Sequence, residues 1–297
     1  MFENTLSQKQ SNFTFTKASF PKSLLMLSVL YFCLPGTLLC QSLLWEISGN
    51  GLKDTSYLYG TMHVRDARVF GFGDSLWTRF NKSSAFAGEI ILEGADKKAL
   101  AKHLLLPKDT SLKMLIGKAN YKKVKKLAKP QLGPFAMLIN RIKPIYLSGL
   151  ITEVPTKDGY SEPVDMYFQK KAKNLNKELI GLEEIEAQLR LMNMFPLKQQ
   201  AEMLVASINN MDSTKLEMEQ MMELYLKQDL EGLQQTVNEA GLSLEMSNAM
   251  LGERNTAMAE KISTLIVKQS IFIAVGAAHL GGKGGLIDLL KQRGFTL

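Results

Sequence analysis

Ile271-Phe272-Ile273-Ala274-Val275-Gly276-Ala277-Ala278-His279 is an apolar run ending in Gly-x-x-His. Ser56-Tyr57-Leu58-Tyr59-Gly60-Thr61-Met62-His63 repeats that arrangement more than 200 residues earlier. A short run of β-branched and aromatic residues closed by glycine reads as a strand. Glycine past a strand permits a tight turn, and a histidine three residues on then projects from the strand's carboxyl end, the edge where open sheets gather ligands. The chain has only three histidines, so two of them share one local setting. Imidazole is the commonest side chain for metal ligation and for proton transfer near neutral pH. A lone Gly-x-x-His fits a packed or capping residue equally well, so the duplication carries the argument.

Working outward, Leu43-Leu44-Trp45-Glu46-Ile47 and Ser56-Tyr57-Leu58-Tyr59 flank a Gly/Asn/Asp-rich loop and predict an antiparallel hairpin. A helix is expected over residues 74–83, then a third strand over 85–92 with Glu89 inside it, and a fourth strand at Glu178-Leu179-Ile180. Helical periodicity fills about 96–175 and 185–268, and a last helix covers 286–293. The expected class is mixed α/β (α+β): a small central sheet carrying two Gly-x-x-His strand ends, with large helical insertions. The methionines crowded between Met192 and Met258 suit core filling in the second insertion.

The 297 residues suffice for one large domain, taken as 41–297. Residues 1–40 read as an export signal: Lys17 and Lys22 precede an apolar stretch, Ser23 to Leu34, that Pro35-Gly36 breaks well short of the about 20 residues a membrane span needs. Cleavage is expected near Cys40-Gln41. A lipid anchor at Cys40 is the alternative, although Leu39 stands where a lipoprotein signal has a small residue. These readings place the protein outside the cytoplasm, periplasmic, secreted or lipid-anchored, with no other membrane contact. Both cysteines, Cys33 and Cys40, fall in the signal, which excludes structural disulfides, thiolate zinc sites and a cysteine nucleophile from the mature chain. The net charge of +7 falls to +5 without the first 40 residues. The basic run from Lys118 to Lys129 keeps apolar residues at helical spacing, so it reads as a solvated face and not a nucleic-acid arm.

Glu89 in an apolar strand needs a partner, because a buried carboxylate is costly alone. That partner is either a cation such as Arg254 or a metal ion. Glu183 opens a helix and reads either as an amino-terminal cap or as a site residue. Two imidazoles with one or two carboxylates match a catalytic site for zinc, manganese or cobalt with room for water, and a second carboxylate supplies a general base. Other chemistries are excluded by pattern: there is no His-Glu-x-x-His and no Gly-x-Ser-x-Gly, and Gly281 to Gly285 fails the phosphate-loop pattern at Ala277 and Gly284. His103, on an expected surface helix, reads as solvated.

The chain resembles the TraB/GumN/Tiki family. The residues that carry this are Leu44 to Gly49 followed by Ser56 to Val64, Gly181-Leu182-Glu183, Glu253-Arg254-Asn255 with Met258, Ala259 and Ile262, and Val275 to Leu280 with Gly284-Gly285-Leu286 and Arg293-Gly294-Phe295. The resemblance runs from about Leu43 to the carboxyl end. It implies a metal-dependent hydrolase site with His63, Glu89 and His279 as metal ligands and Glu89, Glu183, Arg254 and Asn255 in catalytic or supporting roles. Two departures stand out: Ile91 where relatives often carry an acid, and Glu184 where they often carry a hydroxyl. The expected function is an exported metal-dependent hydrolase, plausibly a peptidase, acting on a peptide or small molecule and not on nucleic acid. Two alternatives remain open, a metal-independent esterase-like hydrolase and a non-catalytic binder of a peptide or small ligand.

Overall fold

Six strands, β1 (Leu44–Gly49), β2 (Ser56–Thr61), β3 (Ala85–Gly88), β4 (Glu178–Gly181), β5 (Ile271–Gly276) and β6 (Phe295–Thr296), form one sheet in the order β4-β3-β5-β2-β1-β6. They are seen in a computed structural model that describes residues 42–94, 96–152, 159–239 and 244–297. The readings of signal, cleavage and lipidation on residues 1–40 lie outside the described residues. The four strands β4, β3, β5 and β2 run parallel, while β1 is antiparallel to β2 and β6 to β1. Every residue of β2 and all but the last of β5 are buried. That explains their continuous apolar reading, since a parallel strand is covered on both faces.

The helices are α1 (Asp74–Lys82), then α2 (Lys97–Leu104), α3 (Leu112–Leu132), α4 (Pro144–Thr152) and α5 (Val164–Asn174) between β3 and β4. Between β4 and β5 come α6 (Ile185–Met192), α7 (Leu197–Asn209), α8 (Met211–Leu226), α9 (Leu230–Asn238), α10 (Leu244–Ser247), a π-helical turn at Asn248–Gly252, and α11 (Glu253–Leu265). The closing helix α12 (Leu286–Gln292) leads into β6.

Two apolar clusters hold these layers. The larger wraps the sheet, and its densest part is aromatic: Phe168 of α5 lies 5.5 Å from Tyr59 and 4.8 Å from Phe72, and Phe80 lies 5.1 Å from Phe272. Ring contacts at these distances add to area burial, and they pin the amino end of α5 beside the carboxyl edge of the sheet. The smaller cluster, with Leu112, Val124, Ile139, Leu147 and Leu204, sits among α3, α4 and α7. As expected, Tyr121, Val124, Leu127 and Ala128 turn inward on α3 while Lys118, Lys122, Lys125 and Lys129 are exposed. His103, expected in solvent, is half-buried near the end of α2, and its carbonyl accepts from Asn193.

The glycines of the two motifs do a different job from the one expected. Gly276 has φ −52°, which any residue can adopt, so it is not there to turn the chain. Its missing side chain leaves room: a Cβ there would lie 3.2 Å from Glu89 Oε1 and 3.8 Å from His63 Nε2. Gly60 does the same on the opposite face of the sheet, where a Cβ would meet Ala277 and Leu280 at 3.1 Å.

Candidate functional site

The four parallel strands end on one edge, and each delivers a candidate residue within three positions of its last residue. His63 follows β2, Glu89 follows β3, Glu183 follows β4, and His279 follows β5. Glu89 is therefore not inside a strand. Pairing of β3 ends at Gly88, and Glu89 turns its carboxylate across the edge so that Oε1 accepts the backbone N–H of Gly276 at 2.8 Å. The fifth contribution comes from α11, whose buried residues Asn255, Met258, Ala259 and Ile262 recur at helical spacing and set Arg254 beside Asn255 at the same edge. The π-helical turn just before it shifts the helix phase, a device frequent at functional sites.

Glu89 Oε1 lies 3.8 Å from His63 Nε2 and 3.9 Å from His279 Nε2. One carboxylate oxygen thus stands between two imidazoles that the sequence separates by more than 200 residues. The rear nitrogen of each ring is engaged. Asn255 donates its amide N–H to the carbonyl of Gly284 at 2.9 Å, so its Oδ1 faces His279 Nδ1 at 2.6 Å and that nitrogen carries the proton. His63 Nδ1 lies 2.9 Å from Asp165 Oδ1, an oxygen with no well-directed hydrogen bond, so the contact is an ion pair more than an aligned bond. Both Nε2 atoms are left to face Glu89, as a lone pair on the neutral His279 and as an N–H on the protonated His63.

The other oxygen of Glu89 is tied off. Arg254 Nη2 donates to Glu89 Oε2 and to Glu183 Oε2, both at 2.6 Å, and Arg254 Nε donates to Glu183 Oε1 at 2.9 Å. Gln188 Nε2 bridges the same two carboxylates at 3.0 and 2.9 Å. Glu183 does not cap α6, where Glu184 holds the cap position and makes no side-chain cap bond. Instead both Glu183 oxygens clamp the guanidinium bidentately, the strong geometry for an arginine–carboxylate pair.

These charges set the protonation states. Burial pushes the His279 imidazole down to about 4, so it is neutral at pH 7. For His63, partial desolvation pushes down, but the Asp165 carboxylate 2.9 Å from Nδ1, then Glu89, outweigh it and raise it to about 9. Burial alone would raise Glu89, yet His279, His63, Arg254 and the Gly276 N–H hold it down to about 2. The metal-free protein is accordingly expected to lose stability as pH falls from about 6.5 to 4.5. In that window an unfolded His279 takes a proton that the folded one refuses, costing up to roughly 1.4 kcal/mol per pH unit. The stability Glu89 contributes is lost only further down, below about 4.5, and that of His63 only as pH rises through about 9. Thermal melts of chelated protein across pH 4.5–6.5 test this. A His279→Gln variant that keeps the same slope would exclude His279 as its source.

The donor types, two imidazoles and a carboxylate, suit a divalent ion. The 3.8 and 3.9 Å separations are wider than the roughly 3.3 Å between two tetrahedral ligands each about 2.05 Å from one ion. Each imidazole is backed by an oxygen acceptor, as metal-bound histidines are. Among the described residues no group of three or more His, Cys, Asp or Glu side chains is placed to hold a metal ion as it stands, so loading would require the three to close by about half an ångström. An ion at His63 Nε2 also competes with a proton for the same lone pair.

Three participants escaped the sequence reading. Asp165 was detectable only as an acid in the first turn of a helix. Gln188 gave no signal. Thr61, the last residue of β2, is buried and its hydroxyl has no partner. Thr61 pairs with Gly276 in parallel register, so its side chain leaves the same face of the sheet as the missing Cβ around which the donors gather.

Two Gly-x-x-His motifs with intervening glutamates are the hallmark of the family that the sequence resembles. The sequence profile of the TraB/PrgY/gumN family matches residues 43–297, and the chain belongs to that family. Over 313 residues it is 24% identical to metalloprotease TIKI2 of Danio rerio, covering 86% of this chain and 60% of that protein. Over 317 residues it is 24% identical to metalloprotease TIKI1 of Xenopus tropicalis, covering 86% of this chain and 61% of that protein. It therefore spans about three-fifths of the length of these relatives. No solved structure matches.

Proposed function

We propose that the protein is a metal-dependent hydrolase, plausibly a peptidase, acting on a peptide or small molecule outside the cytoplasm. The observation that carries this is Glu89 Oε1 placed 3.8 and 3.9 Å from two Nε2 atoms whose rings are each fixed from behind. His63, Glu89 and His279 would hold zinc, manganese or cobalt, which when bound supplies Lewis acidity and water ionisable near neutral pH. Asp165 and Asn255 fix the ring orientations and tautomers. Arg254 absorbs the charge of Glu89 and Glu183, which keeps Glu89 ionised and in place. With both oxygens of Glu183 on Arg254, we assign Glu183 to positioning rather than to proton transfer. Support for the peptidase reading comes from the TIKI relatives, which are named metalloproteases. Export rests on the amino-terminal signal pattern. Among the described residues no helix is long and apolar enough to cross a membrane.

Elemental analysis of the purified protein, with turnover of a peptide library before and after chelation and metal restoration, tests the proposal. About one equivalent of metal and metal-restored turnover are expected. Turnover that survives exhaustive chelation would favour a second reading, which the Asp165–His63 contact supports: a carboxylate orienting an imidazole that activates water directly. Tight ligand binding without turnover, unaffected by alanine at His63, Glu89 and His279, would make the protein a binder.

Thr61→Val gives a further expectation. Removing a hydroxyl that is buried and unpartnered should stabilise the free protein by about 1 kcal/mol. If the hydroxyl meets water or substrate at the centre, turnover should fall about five- to tenfold, with metal content unchanged and Thr61→Ser close to wild type. Unchanged turnover in the valine variant would remove Thr61 from the site.

A further inference from the structure

Residues 96–152 hold thirteen lysines and arginines against two acids, a net +11 in a chain whose total is +7, so everything outside this stretch nets −4. Past the kink at Gly117, Lys118, Lys122, Lys125 and Lys129 form one exposed stripe of α3. Directly after α3, a 3-10 turn, Gly133–Arg141, projects Phe135 and Met137, 66% and 84% exposed, with Leu138 beside them. Earlier in α3, Met114 is 72% exposed. Behind Phe135 and Leu138 runs a groove of about 460 Å³ walled by Leu100, Leu104, Leu132 and Leu150. Large aliphatic side chains held in water beside dense positive charge mark an interaction surface.

We propose that this helical insertion docks peripherally on an anionic lipid bilayer. Phe135, Met137 and Leu138 enter the boundary between headgroups and acyl chains, and the lysines of α3 meet the headgroup charge. Both halves of the surface are used: apolar side chains give area-dependent insertion, and each lysine near an anionic surface adds its own attraction. A second copy of the chain is a poor occupant, because two +11 faces repel. Nucleic acid would use the lysines but leaves exposed methionine and leucine unexplained, and single-strand binding relies on exposed aromatic platforms, of which Phe135 is the lone example on this turn. This surface is distinct from the amino-terminal signal and independent of the hydrolase reading.

Sedimentation of the protein with phosphatidylcholine vesicles, with and without phosphatidylglycerol, at low and high salt, tests the proposal. Binding is expected only with the anionic lipid and only at low salt. The triple variant Lys118→Glu/Lys122→Glu/Lys125→Glu should weaken it about a hundredfold. Phe135→Ser/Met137→Ser should weaken it about tenfold or more while keeping the salt dependence. Both variants alter solvent-exposed side chains, and far-UV circular dichroism checks that they remain folded. Equal sedimentation with neutral vesicles, anionic binding that neither variant changes, or tight binding of an oligonucleotide without vesicle binding would each overturn it.

Discussion

Alanine at His63 is expected to abolish metal uptake and hydrolysis together while leaving the melting temperature within a few degrees of wild type. The His63 side chain is 60% exposed and lies beyond the end of β2, so little packing is lost with it. What disappears is one of three donors, leaving Glu89 Oε1 and His279 Nε2. The loss should exceed the roughly 10–100-fold that removing a group behind a metal ligand costs. Asp165→Asn, which touches only the rear nitrogen of His63, should fall inside that smaller range. Metal analysis and kcat/KM measured on both variants give the ranking. Full turnover in the His63 variant would falsify the assignment of His63 to the hydrolytic centre.

Glu89→Ala should be the most damaging single change to stability. Arg254, Glu89 and Glu183 are all largely buried, their side chains 15%, 10% and 11% exposed, and Arg254 balances two carboxylates. Taking one away leaves the Gly276 N–H and one face of the guanidinium without their partner. Breaking a buried charge pair in this way typically costs about 3–5 kcal/mol. Glu89→Gln retains the shape and an acceptor for Gly276, so it should cost less stability while still losing the negative ligand. Urea denaturation of the two variants, alongside metal content, separates the structural role from the chemical one. A Glu89→Ala protein as stable as wild type would show that Arg254 and Glu183 need no third partner.

The sequence disclosed the donors because they are few and sit after strands that are unmistakably apolar. It also disclosed the helical insertions, since α3 and α11 keep buried residues at helical spacing. Strand order was not legible. Nothing in Ile271-Phe272-Ile273-Ala274-Val275 says that β5 enters between β3 and β2, because neighbours in a parallel sheet are chosen by long-range packing. β6 escaped for a different reason, since two residues, Phe295–Thr296, carry no periodicity. Asp165 is not legible because its partner lies a hundred positions away, and ring contacts of Phe168 with Tyr59, Phe72, Phe80 and Phe272 seat α5 so that the two meet. The glycines signal conformational freedom in sequence, whereas vacant volume is what the site draws from them.

The placing of β5 has a temporal consequence. It pairs with β3 on one side and β2 on the other, while among the strands described β2 otherwise pairs with β1 and β3 with β4. Without residues 271–276 the β1–β2 and β3–β4 pairs share no strand-to-strand hydrogen bonds, and His63 and Glu89 lose the strand that sets them on one edge. Insertion of the last long strand is a keystone step that unites the halves and brings in His279. The two imidazoles and Glu89 therefore share one edge only after residues 271–279 have joined the sheet.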